Sequence, residues 1–314
     1  MKKTIYVYDQ ESTIYQAGPH LAVRIHEKVL FTEPMSNIEA VVLFKLAQIT
    51  TQCICALFKY GICIVYTTKY GSILGCSYPR FTERPLLKTA QYRLVSSLEA
   101  SLGLAKEIIT AKVSGQIKTL HAYRNPAVAK LKMLARNIMD AKDCAQLLGI
   151  EGSIASVYFS AFAECLARHS FIKRAARPAH DPVNAVLNLS YMLTLYKIDS
   201  ILFAQGFDTT LGVYHTVNRD RMSLSLDLLE PFRGFLDRFV IKLFNRDEIK
   251  NDQFVTSSKG CVLNNKGFCR YIERYEEAVD IRDIVEEIAS RLKKFCLEQG
   301  GGGGFDLKDL SDLL

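Results

Sequence analysis

Three segments of the chain hold residue types suited to phosphate chemistry. Residues 147–162, LLGIEGSIASVYFSAF, form an apolar, small-residue run whose only charge is Glu151, with Gly149 and Gly152 leaving space beside it. Ionised carboxylates are rarely buried unless paired or bound to a metal. A carboxylate at a helix start, stabilised by the helix dipole, would look similar. Residues 206–215, GFDTTLGVYH, shape a loop that ends on His215; a lone histidine is more often structural than catalytic. Residues 223–238, SLSLDLLEPFRGFLDR, carry Asp227 and Glu230 among Leu226, Leu228 and Leu229. Three residues apart on a helix, the two carboxylates share a face. Like charges beside a core are costly unless a cation neutralises them; on a solvent-facing stripe they need none. Taken together, two carboxylates and an imidazole suit Mg²⁺ or Mn²⁺. Such an ion can polarise a phosphodiester, activate a bound hydroxyl and steady the leaving oxygen.

These segments need elements to hold them. The first 80 or so residues read as β-rich, with strands expected at 4–8 (TIYVY), 21–25 (LAVRI) and 41–43. Ser36, followed by Glu39 three residues on, reads as a helix cap, and that helix is expected to run to about Tyr60 and stop at Gly61. Residues 62–66 (ICIVY) read as a buried strand, Tyr70-Gly71 as a turn, and Ile73-Leu74 as the start of another strand. Pro79 and Pro85 bracket a charged connector. Beyond it the apolar period becomes helical almost to Leu292. Five glycines, 300–304, read as a flexible linker before a frayed tail or short docking helix. The expected class is α+β multidomain: an N-terminal β-rich domain (1–80), a linker (81–87), a larger all-α catalytic domain (88–292) and a flexible Gly-rich tail (293–314).

With 314 residues, 49% of them hydrophobic, the chain can bury more than one small core. Net charge is only +7, but residues 86–180 hold 14 Lys and Arg against 6 Asp and Glu. A localised positive surface favours a polyanion, most often nucleic acid; a solvated helical face would carry the same charge. Lys112, Lys118, Arg124, Lys130 and Arg136 are candidates for phosphate contacts. Tyr92 and Tyr123 could stack on bases at a splayed end, or simply pack. The nine cysteines form no CxxC pair and read as reduced core thiols. No apolar run suits a membrane helix, and Asp9 and Glu11 interrupt any signal peptide, so a cytosolic protein without a membrane partner is expected.

On four ordered motifs the chain resembles the CRISPR-associated Cas-one integrase family. They are LLGIEGSIASVYF around Glu151, Arg177-Pro178 with the DPVNA segment 181–185, Gly206-Phe207-Asp208 leading to His215, and residues 227–233, DLLEPFR. Weaker agreement extends over nearly residues 1–290. The resemblance implies an N-terminal β-sandwich-like domain, a helical catalytic domain, and homodimers that flank a dimer of the small Cas-two protein in a heterohexamer. It implies insertion of short double-stranded DNA fragments into a CRISPR repeat by 3′-hydroxyl attack. By the same resemblance Glu151, His215 and Glu230 are ligands of Mg²⁺ or Mn²⁺, Asp227 is an acidic residue supporting catalysis, and Arg177 and Asn184 line the site toward substrate. His215 must be neutral to bind metal, so activity is expected to fall in acid. Gly234, where many members have proline, and Tyr214, where leucine or histidine is common, depart from the family pattern. A branched-DNA endonuclease, a transposon-encoded integrase of the same family and a non-catalytic DNA-binding scaffold are the alternative readings.

Overall fold

A computed structural model describes residues 2–44, 47–68, 73–79, 85–167, 171–175, 178–215, 222–258, 260–298, 305 and 307. The chain divides into two compact units, residues 1–83 and 84–314.

The first unit has two four-stranded sheets and one helix. The strands are β1 (Lys3–Val7), β2 (Ser12–Ala17), β3 (His20–Ile25), β4 (Lys28–Pro34), β5 (Ile38–Leu43), β6 (Gln48–Ile49), β7 (Cys63–Thr67) and β8 (Ile73–Ser77), and helix α1 is Thr51–Lys59. One sheet runs β1-β5-β7-β8, with β1, β5 and β7 parallel; the other runs β4-β3-β2-β6. Ile14, Leu21, Ile38, Val41, Leu57 and Ile64 build a single core between them. The helix expected from Ser36 to Tyr60 is shorter. Residues 35–37 make one 3₁₀ turn, 38–43 are strand β5, and α1 starts after Thr50, whose hydroxyl caps Cys53 N–H at 3.3 Å. β5 is the inner strand between β1 and β7, and Ala40, Val41, Val42 and Leu43 are all buried. The strand expected at 41–43 is thus the end of β5; the helix expected over the same residues conflicts with it because a strand covered on both faces lacks the alternation that separates strand from helix. Gly61, at φ +74°, does end α1. Tyr70 and Gly71 lie outside the described residues.

The second unit is mainly helical: α2 (Pro85–Ser96), α3 (Leu98–Ala122), α4 (Ala127–Ala135), α5 (Cys144–Glu164), α6 (Pro182–Ala204), α7 (Ser223–Leu229), α8 (Arg233–Asn245), α9 (Asn265–Ala278) and α10 (Arg282–Leu297). A 3₁₀ turn, Glu230–Phe232, joins α7 to α8. Helix α6 is buried nearly all round, as a central helix must be. Its start is set by Asp181, which accepts Asn184 N–H at 2.8 Å, and by Pro182 in the first turn.

Helix α3 crosses α8 at two glycines. A Cβ on Gly234 would stand 2.2 Å from the carbonyl carbon of Gly115, and Thr119 Oγ1 donates to Gly234 O at 2.6 Å. This close approach sets Lys112, one turn before Gly115, beside the turn that carries Glu230. The all-helix expectation for 88–292 needs one correction: β9 (Phe254–Ser257) and β10 (Gly260–Leu263) pair antiparallel. Residues 293–297, expected in the tail, complete α10, and Phe305 and Leu307 are buried, with the Phe305 ring 5.7 Å from that of Phe295. Residues 300–304 lie outside the described residues.

Candidate metal centre

Four elements of the helical unit bring their polar residues to one place. Glu151 is the eighth residue of α5, Lys112 lies in the middle of α3, His215 in the segment between α6 and α7, and Glu230 in the turn after α7. Lys112 Nζ stands 2.5 Å from Glu151 Oε1 and 2.7 Å from Glu230 Oε2. His215 Nε2 stands 3.8 Å from Glu230 Oε1. The side chains of Glu151 and His215 are both 18% exposed, so the cluster opens to solvent on their side, while Lys112 and Glu230 form its floor.

The imidazole is held in one orientation. Asp227, fully buried, accepts backbone N–H groups from Val213 (2.6 Å), Tyr214 (3.1 Å) and His215 (2.9 Å), and takes His215 Nδ1 at 2.7 Å. Each of its oxygens is thereby committed, and Nε2 of the ring is turned toward Glu230. Gly212 makes this wrap possible, because a Cβ there would lie 2.6 Å from Asp227 Oδ2. Asp227 therefore acts on His215 and its loop rather than offering oxygens to the site.

Glu230 is anchored from behind. Arg233 Nε stands 2.8 Å from its Oε2. Lys112 Nζ, at 2.7 Å, meets the same oxygen, so its charge is compensated from two sides. Burial pushes the Glu230 carboxyl up, but Arg233 and Lys112 outweigh burial and hold it at about 2. The Arg233 guanidinium lies 4.5 Å from the centre of the Tyr191 ring. Tyr191 and Tyr158 both donate their hydroxyls to Asp237, a buried carboxyl that burial pushes up despite these donors. Tyr158 lies seven residues after Glu151 on the same face of α5, so this second layer and the first share a helix.

The chemistry of the donor set fits a divalent ion: carboxylate oxygens from Glu151 and Glu230 and one imidazole nitrogen already oriented by a carboxylate. Among the described residues no three such donors stand close enough to hold an ion as they are. The Lys112 ammonium lies between the two carboxylates.

Other expected residues fall elsewhere. Asn184 was expected to face substrate, yet it is fully buried and saturated. Its Oδ1 accepts from Arg174 and from Ala175 N–H, and its Nδ2 donates to Lys173 O and Asp181 Oδ2. It pins residues 173–175 to the start of α6, with no polar atom left for a ligand. Arg177 lies outside the described residues. Lys112, expected on a surface that tracks phosphates, is 7% exposed within the cluster itself. Arg124, Lys130 and Arg136 are exposed, Lys118 is half-buried, Tyr92 is exposed and Tyr123 half-buried. Reading the sequence missed Arg233, Tyr158, Tyr191 and Asp237. Lys112 could have been found from its setting, since a lysine flanked by Ile108, Ile109 and Val113 on a buried helix needs an anionic partner.

A family model described as CRISPR associated protein Cas1 matches residues 5–277. A CRISPR-associated endonuclease Cas1 from Thermodesulfovibrio yellowstonii is 33% identical, over 88% of this chain and 91% of its own. A Cas4 exonuclease/Cas1 endonuclease fusion from Rhodospirillum rubrum is 32% identical over 78% of this chain, which spans only 45% of the fusion. Among solved structures, a Cas1 protein from Thermotoga maritima superposes with a TM-score of 0.86 at 22% identity, covering 94% of this chain and 97% of that one. A casposase bound to integration product gives 0.86 at 20% identity, covering 98% and 94%. A Cas6-RT-Cas1–Cas2 complex gives 0.85 at 22% identity, covering 98% of this chain and 36% of that one. These structures share the order of a strand-rich N-terminal region followed by a helical domain.

Proposed function

The chain belongs to the CRISPR-associated Cas1 family, and we propose that it is a metal-dependent DNA integrase that joins the 3′-hydroxyl of a short duplex fragment to a strand of a CRISPR repeat. One observation carries this reading. Glu151 and Glu230 both contact the Lys112 ammonium and His215 Nε2 lies 3.8 Å from Glu230, so three segments far apart in sequence meet in one partly open cluster.

Glu151, His215 Nε2 and Glu230 are the residues that would hold Mg²⁺ or Mn²⁺. Bound there, the ion would supply Lewis-acid polarisation of a phosphodiester and favour the alkoxide of the attacking hydroxyl. The chain supplies the rest. Asp227 keeps the proton on Nδ1 and so keeps Nε2 available. Arg233 fixes Glu230 and keeps it ionised. Exposed Arg124, Lys130 and Arg136 give a basic surface for DNA phosphates, which adds salt-sensitive affinity without sequence preference. One phosphodiester is exchanged for another, so no nucleotide is consumed.

Similarity to a complex containing Cas2 supports a Cas2-type partner, and the assembly proposed is a dimer of that partner between two dimers of this chain. The edge strand β4 supports pairing with a second copy of this chain, because Val29, Leu30 and Phe31 are exposed in succession on it. The expected test result is a joined product when a labelled fragment is incubated with repeat DNA and Mn²⁺, none with EDTA, and none from Glu151→Gln. Relatives named endonucleases support a second reading, in which water rather than a 3′-hydroxyl attacks branched DNA at the same residues. Cleaved product without any joined strand would favour it.

A further inference from the structure

The residue at the centre of the cluster is Lys112, whose single ammonium lies 2.5 Å from Glu151 and 2.7 Å from Glu230. Lys112 takes Glu151 Oε1 and Glu230 Oε2, while Glu230 Oε1 is the oxygen near His215 Nε2. A divalent ion held by Glu151, Glu230 and His215 would therefore compete with this ammonium for the charge of the same two carboxylates and be repelled by it at close range. The ammonium also cannot travel far. Lys112 rises from the buried face of α3 beside the Gly115–Gly234 crossing, with only 7% of the residue exposed. An ammonium left there without an anion is costly. The nearby acids do not offer it a new one: Asp227 is committed to His215 and three backbone N–H groups, and Asp237 to two tyrosines.

We propose that Lys112 is a partner-exchanging cation of the active site, which neutralises Glu151 and Glu230 until a divalent ion takes them, and then turns to a phosphate oxygen of the bound DNA. The exchange couples the two ligands. Ion binding alone strands the ammonium, and a DNA phosphate relieves it, so ion and DNA bind better together than apart. No bond is made or broken by Lys112; only its ion-pair partner changes. This rests on the assignment of Glu151 and Glu230 as ion ligands.

The test compares the intact wild-type chain with Lys112→Gln by calorimetric titration of Mn²⁺ without DNA, and by single-turnover strand transfer at saturating Mn²⁺. Removing a competitor tightens Mn²⁺ by about tenfold or more, while removing a phosphate partner slows transfer by about tenfold or more. Opposite signs are the signature, because damage to the fold would lower both. Weaker or unchanged Mn²⁺ binding in Lys112→Gln would overturn the proposal. Should that variant fold poorly, wild-type crystals grown with Mn²⁺ decide instead. The expected Nζ has left hydrogen-bond distance of at least one carboxylate, and an Nζ still bridging both beside a bound ion refutes the exchange. If the wild type binds Mn²⁺ yet joins no DNA, the integrase reading fails while the Mn²⁺ comparison still decides the role of Lys112.

Discussion

At the scale of residues, the site is a balance of buried charge. Glu230 is ionised at about 2 because Arg233 and Lys112 outweigh the cost of its burial. Its folded value lies below the usual carboxylate value of 4.5, so the ionised form favours the fold. That stability is fully present above about pH 4.5 and is lost as pH falls toward 2, a contribution on the order of 3 kcal/mol. Denaturant unfolding measured across this window should show an acid limb that is shallower in Glu230→Gln. Asp227 sets a separate expectation. Asp227→Asn offers only one acceptor oxygen where the native carboxylate serves Nδ1 and three backbone donors. Loss of such an orienting partner costs about 10- to 100-fold in metal affinity. Calorimetric Mn²⁺ binding within twofold of wild type in a folded Asp227→Asn chain would contradict that role.

At the scale of elements, the site depends on how closely α3 and α8 approach. Gly234→Ala would drive a methyl into the backbone of Gly115. Overpacking against backbone should cost about 3 kcal/mol by chemical denaturation. Gly103→Ala on α3, the helix of Gly115, meets nothing within 4 Å and should gain about 1 kcal/mol from helix propensity. Equal effects from the two would remove the glycine crossing as the device that places Lys112. The difference between them also shows what was legible beforehand. Gly234 could be noted as unusual, but nothing local says that it meets Gly115, 119 residues away. Strands β1, β3, β5, β7 and β8 could be read from β-branched and apolar runs. Strands β2, β4 and β6 were not read, since β6 has only two residues and β4 is exposed along most of its length without alternation, and the hairpin β9–β10 was lost among helices. Glu151, Asp227 and Glu230 stood out as ionisable groups in apolar runs, whereas His215, in a polar loop, was placed with them by the family resemblance. Asn184 stood out for its DPVNA setting, yet its polar atoms serve the backbone of residues 173 and 175, and side-chain direction at a helix start is not written in spacing. Tyr158, Tyr191 and Asp237 look like ordinary core and surface types until the fold puts a buried carboxyl between two phenols.

At the scale of the molecule, the account joins a charged surface to an acidic site. The excess of basic residues lies in 86–180, and Arg124, Lys130 and Arg136 are exposed. Arg124→Ala should weaken DNA binding about equally for unrelated sequences and reduce the salt dependence by about one phosphate contact. Fluorescence anisotropy at several salt concentrations measures both, and a loss confined to one sequence would speak against a backbone contact. The claim on which everything rests is that Glu151, His215 and Glu230 hold one divalent ion. It is tested most directly by titrating Mn²⁺ into the wild-type chain and into Glu151→Gln, His215→Ala and Glu230→Gln, each first shown to be folded by circular dichroism. The account expects one ion per wild-type chain and loss of that binding in all three variants. Wild-type Mn²⁺ affinity in any of the three folded variants would contradict it.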